Sequence, residues 1–105
     1  MEVVLVYITA ADEEEARTLG RTLVENRLAA CANVIPRIHS TYRWEGQLVE
    51  DEEALLLVKT TRGLVDRLIE TVREIHSYEV PAVLVLDVAA GNQAFLDWVA
   101  AEVEA

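Results

Sequence analysis

This 105-residue sequence holds one cysteine, Cys31, so an internal disulfide is excluded and no second thiol is available for a Cys-rich metal motif. A lone free thiol agrees with a reducing compartment. Glycine and proline are scarce, at four and two residues, and no glycine-rich phosphate loop is present. That scarcity also argues against disorder. Long hydrophobic runs are missing as well. The longest, Val3 to Ile8 and Ala54 to Val58, fall far short of the roughly 20 residues that a membrane-spanning helix needs. No basic start followed by an apolar stretch and a small-residue cleavage site is seen, so a cytoplasmic location is expected. Basic residues number nine against nineteen acidic, a net charge of −10. That charge repels phosphate backbones, and no basic stripe offsets it, which argues against nucleic acid as a partner.

What is present reads as one packed domain spanning residues 1–105, with 52% apolar residues. The run from Met1 to Thr9 is nearly all β-branched, aliphatic or aromatic and predicts a strand buried on both faces. Asp12 with Glu15 three residues on resembles a capping box, and Ala16, Leu19, Gly20, Leu23, Val24 and Leu28 then recur at helical spacing. Residues 32–44 read as extended, with Ile38, Tyr42 and Trp44 on one face and Arg37, His39, Arg43 and Glu45 on the other. Pro36 cannot donate to a ladder, so this strand is expected at an edge or with a bulge. Glu45-Gly46 reads as a hairpin turn. Leu48 to Thr60 returns through the apolar run ALLLV, a second central strand. Thr60 or Thr61 is expected to cap a helix carrying Leu64, Val65, Leu68, Ile69, Val72 and Ile75. Residues 82–89 give a fourth strand, and Asn92 caps a last helix. The order β-α-β-β-α-β plus a C-terminal helix predicts an α+β, ferredoxin-like antiparallel sheet. An aromatic-bearing edge strand invites pairing with another copy of the chain, so a homo-oligomer is expected.

Few residues announce chemistry. Cys31 sits among alanines with no neighbouring lysine, and core packing is its leading reading, ahead of metal or redox work. His76 closes the second helix. Imidazole and thiolate both suit copper or zinc, yet Cys31 and His76 are far apart in sequence. His39 falls on the polar side of its strand. Glu50, Asp51, Glu52 and Glu53 read as a solvated acidic face. Tyr42, Trp44, Lys59 and Tyr78 suit subunit contacts, or an inter-subunit pocket for a small anion with Lys59 as counter-charge. No nucleophile–base set assembles, so a non-enzymatic protein is expected.

Three segments together, RLAACANVIP (27–36), STYRWEGQLVEDEEALLLVKT (40–60) and HSYEVPAVLVL (76–86), with GNQAFLDW near the end, resemble the CutA family, the divalent-cation tolerance proteins. The resemblance runs from about residue 3 to residue 100. It implies a ferredoxin-like protomer in a homotrimer similar to PII signalling proteins, linked to tolerance of copper and other divalent cations. It also implies that Cys31, Tyr42, Trp44, Lys59, His76 and Tyr78 gather near clefts between subunits, with Cys31 and His76 as candidate copper ligands. The chain departs from the family pattern at Pro81-Ala82, where Pro-Glu is common, and at Ser77, where proline is common. Two rival readings are a PII-like small-molecule sensor, with ligands in the inter-subunit clefts near Tyr42, Trp44 and Lys59, and a trimeric scaffold for a partner protein.

Overall fold

In the computed structural model, which describes residues 2–104, the opening β-branched run becomes β1 (Val3–Ala10). The expected start of that strand at Met1 lies outside the described residues. Asp12 Oδ1 then accepts the Glu15 amide at 2.9 Å, which begins α1 (Glu13–Glu25). Glu15 reaches back to the amide of Ala11, also at 2.9 Å, rather than to that of Asp12, so the capping box is displaced by one residue. The helix ends at Glu25, three residues before the expected Leu28. Its terminus is a Schellman turn: Leu28 N–H donates to Leu23 O and Arg27 N–H to Val24 O, with Arg27 at φ 57°.

The chain continues into β2 (Cys31–Trp44) and β3 (Gln47–Thr61). Glu45 and Gly46 join them with φ of 48° and 80°, the positive pair that a two-residue type I′ turn needs. Between Ile35 and Ile38 the pairing register shifts, so β2 spends one more residue than β3 there, at Pro36-Arg37. Pro36 thus sits on an edge strand and at a bulge. A single 3-10 turn, Arg62–Leu64, precedes α2 (Val65–Ile75). Neither threonine caps it. Thr60 Oγ1 donates instead to the carbonyl of Leu28 at 2.7 Å, and Thr61 Oγ1 is buried with no partner among the described residues. The last elements are β4 (Val83–Asp87) and α3 (Gln93–Glu102), the latter capped by Asn92 through the Ala94 amide.

The sheet order is β2-β3-β1-β4, with every neighbour antiparallel. That is the ferredoxin-like arrangement, and the two strands with unbroken apolar runs are the central pair. Val4, Val6, Ile8, Leu56 and Val58 point to one face and are fully buried against Leu19 and Leu23 of α1, Leu68 and Val72 of α2, and Val99 of α3. Each such side chain contributes about 1.5–3 kcal/mol on leaving water. Gly20 allows α1 to lie close to the sheet, because a Cβ there would stand 3.0 Å from Ala32 Cβ and 3.1 Å from Leu56 Cδ1.

The opposite face is different. Leu5 and Tyr7 alternate with the core residues of β1 and are only half-buried, and their β4 partners Leu86 and Leu84 are 44% and 59% exposed. Burial on both faces, expected from the apolar run, is met on one face only, because all three helices contribute to the same layer. Beyond the Ala10–Ala54 pair, β2 and β3 continue as a two-stranded ribbon with no third strand. The molecule is accordingly elongated, 44 × 26 × 22 Å. No helix among the described residues is long and apolar enough to cross a membrane.

Candidate functional site

Where the ribbon leaves the sheet, a cavity of about 600 Å³ is lined by Tyr7, Tyr42, Trp44, Asp51, Glu53 and Tyr78. The bulge changes the parity of the β2 residues on that face. Before it, odd-numbered β2 residues stand opposite odd-numbered β3 residues, as in Ile35–Leu55; after it, even-numbered residues do, as in Tyr42–Val49 and Ser40–Asp51. Tyr42 and Trp44 therefore share a face with Asp51 and Glu53. The loop after α2 closes the other side through Tyr78, Glu79 and Val80.

Glu53 is 8% exposed. Tyr78 Oη donates to its Oε2 at 2.6 Å, and among the described residues no lysine or arginine pairs with it. Burying a carboxylate without a cation is costly. Its field is felt by its neighbours. Burial, the hydrogen bond to Glu53 and the charges of Glu53 and Asp51 hold the Tyr78 phenol well above the usual tyrosine range. Desolvation and the charges of Asp51 and Glu53 also push Tyr42 upward. The acidic run 50–53 is thus split by strand alternation. Asp51, itself exposed, and buried Glu53 line the cavity, whereas Glu50 and Glu52 alternate to the other side of the strand. A fully solvated face was the expectation, and the period-two spacing of the acids was the signal that could have divided it.

His76 ends α2, its amide donating to Val72 O, with its side chain fully buried. Nε2 lies 2.7 Å from the Thr9 carbonyl, and Nδ1 lies 3.0 Å from the Tyr78 amide. A carbonyl only accepts and an amide N–H only donates, so Nε2 carries the proton and Nδ1 accepts. Both ring nitrogens are occupied by the fold. The ring also packs on Tyr78, with centroids 4.7 Å apart.

Of the residues singled out from sequence, the structure brings Tyr42, Trp44 and Tyr78 into one cavity, with His76 directly behind Tyr78. Cys31 and Lys59 lie elsewhere. Cys31 pairs with Lys59 and Lys59 with Leu5, whereas His76 bonds Thr9, four residues along β1. That offset alone is about 13 Å. Lys59 Nζ donates to Asn33 Oδ1 and is six residues from Glu53 along β3, about 20 Å. Half-buried Cys31 lines a groove between α1 and β2 beside Arg17 and Arg21. Among the described residues no three His, Cys, Asp or Glu side chains converge on a metal position. Within one chain, Cys31 and His76 are too far apart to share a copper ion. His39, opposite Glu52, faces solvent as expected.

An antiparallel ferredoxin-like sheet, one face sheathed by helices and the other open, with a long β2–β3 ribbon and an acidic aromatic cavity, defines the class of protein. The sequence profile of the CutA1 divalent ion tolerance protein matches residues 4–102, and the chain belongs to that family. It is 52% identical over 94 residues to the divalent-cation tolerance protein CutA of Thermus thermophilus, covering 90% of this chain and 91% of the relative. Mouse Protein CutA is 46% identical over 93 residues, and there the match spans 89% of this chain but only 52% of the relative. Among solved structures, the Thermus thermophilus divalent cation tolerance protein superposes with a TM-score of 0.94 at 47% identity, covering 97% and 99% of the two chains. CutA1 from Oryza sativa gives 0.96 at 36% identity, covering 99% and 95%.

Proposed function

We propose that this divalent-cation tolerance protein works as a non-enzymatic homotrimer in the cytoplasm. The observation that carries the assembly is the open sheet face, with Leu5, Tyr7, Leu84 and Leu86 on it, continued by a ribbon that has no third strand. Isolated two-stranded ribbons are marginal in water, and a contiguous apolar face of this kind marks an interaction surface. Other copies of the chain supply the missing layer and pair with the 14-residue edge strand β2. Native mass spectrometry is expected to return three times the 11.7 kDa of the chain. A monomer at micromolar concentration removes the assembly. Cell fractionation tests the location.

The same sample, purified without chelators and analysed for elements, tests the metal link. Cys31 and His76 are apart within one chain, so a copper site holding both would take them from different copies of the trimer. A second reading, a small-molecule sensor, is favoured by one observation: Tyr42, Trp44 and Tyr78 meet in one cavity. Lys59, expected as the counter-charge of a small anion, lies outside that cavity, whose lining charges are acidic.

A further inference from the structure

We propose that the cavity beside the ribbon binds a small aliphatic ammonium ion, with a short diamine as the best-fitting class. This rests on the sensor reading and gives its ligand a charge opposite to the anion expected from sequence. Three features converge. Glu53 is more than nine-tenths buried, lines the cavity, and receives one neutral hydrogen bond but no cation among the described residues. Asp51 lies two residues along the same strand and also lines the cavity, which spaces the two carboxylates by about 6.6 Å along β3. Tyr7, Tyr42, Trp44 and Tyr78 supply ring surfaces, and an ammonium group over such rings is attracted by their negative faces.

The elements of recognition complement one another. A cation restores the charge balance that Glu53 lacks, and a four-carbon spacer matches the separation of the two acids. The methylene chain lies on the aromatic and Val80 surfaces. A neutral isostere gains the last of these contacts but leaves both carboxylates unpaired. A hydrated metal ion gains little from the rings. The site takes in Tyr7 and Thr9 at the end of β1, on the ribbon side of the open face and away from Leu5 and Leu86. Assembly through that apolar end leaves the cavity at the border between copies.

The test is calorimetric titration of the full chain with 1,4-diaminobutane near neutral pH, beside 1,4-butanediol and magnesium chloride at equal ionic strength. Saturable binding is expected for the diamine alone. Glu53→Gln, which keeps an acceptor for Tyr78, and Asp51→Asn are each expected to weaken it by about tenfold or more, as loss of a charge-assisted bond does. Lys59→Ala is expected to leave it unchanged. Quenching or enhancement of Trp44 fluorescence in a Trp98→Phe background locates the ligand. No saturation below about 10 mM, well under useful affinity, overturns the proposal. So does an equal response to magnesium, or full affinity in Glu53→Gln. The native mass of the same sample keeps a failed assembly distinct from a failed cavity.

Discussion

His76 Nε2 donates to the carbonyl of Thr9 at 2.7 Å, tying the end of α2 to the end of β1 across 67 positions of sequence. The other ring nitrogen accepts the Tyr78 amide and so sets the loop that walls the cavity. His76→Ala leaves a buried carbonyl unpaired and opens a void. A loss of about 2–3 kcal/mol is expected by chemical denaturation. Copper stoichiometry by calorimetry is expected to stay unchanged in this variant and in Cys31→Ser. A drop in either would give that residue a ligand role.

Glu15 makes a second tie. Its carboxylate accepts from the Ala11 amide at 2.9 Å and the Ser77 amide at 2.8 Å. Burial alone would raise its pKa, but the hydrogen bonds from Ala11 and Ser77 bring it below the ordinary 4.5. A carboxyl depressed by folding stabilises the native state above its unfolded pKa, and that contribution fades as pH falls through the folded value. Glu15→Gln is therefore expected to cost about 1 kcal/mol at pH 7 and to flatten the loss of stability below about pH 4.5.

Tyr78 gives the alkaline counterpart. Its phenol is held above the usual range by burial and by Glu53. The protonated form is favoured on folding, so this stabilisation is complete below the unfolded value of about 10 and declines above it. Absorbance titration is expected to show a phenol still protonated beyond about pH 11. In Glu53→Gln that phenol is expected to ionise earlier. An unchanged titration would remove Glu53 as its cause.

Gly20 faces Ala32 and Leu56, and a Cβ there would stand within 3.0 and 3.1 Å of their side chains. Gly20→Val places three carbons into that contact and a β-branched residue into a helix. A loss of about 2 kcal/mol or more is expected from thermal unfolding.

Arg27 holds a left-handed conformation at the Schellman position, where glycine is the usual occupant. Arg27→Gly relieves a strain of about 1–2 kcal/mol and adds unfolded-state entropy of about 0.5–1 kcal/mol. A net gain of about 0.5–1 kcal/mol is expected.

The strand order was legible because β1 and β3 carry unbroken apolar runs that belong at the centre of a sheet. Pro36 announced an edge or a bulge, and the structure has both. The end of α1 was not legible, since Arg27 replaces the glycine that would have marked it, and Leu28 extends the helical spacing past the turn. Thr61 looked like a cap, but the 3-10 turn closes on backbone bonds alone. Within the site, Tyr42, Trp44 and Tyr78 were found, whereas Glu53 was hidden in a run of like charges whose alternation shows only on a strand. Lys59 was grouped with the aromatics although β3 is 15 residues long and carries it to the far end.

The extra residue at Pro36-Arg37 makes the outer half of the hairpin run half a pleat out of phase with the inner half. That step lets Ile35 and Tyr42, seven residues apart, share one face of the ribbon, which strict alternation forbids. Deleting Arg37 would remove the step without moving any pair beyond it, since Ile38 would still stand opposite Glu53 and Tyr42 opposite Val49. Tyr42 and Trp44 would stay beside Asp51 and Glu53. What would be lost is the local bend and added twist that an extra residue gives a strand, so the bulge sets the angle at which the ribbon leaves the sheet.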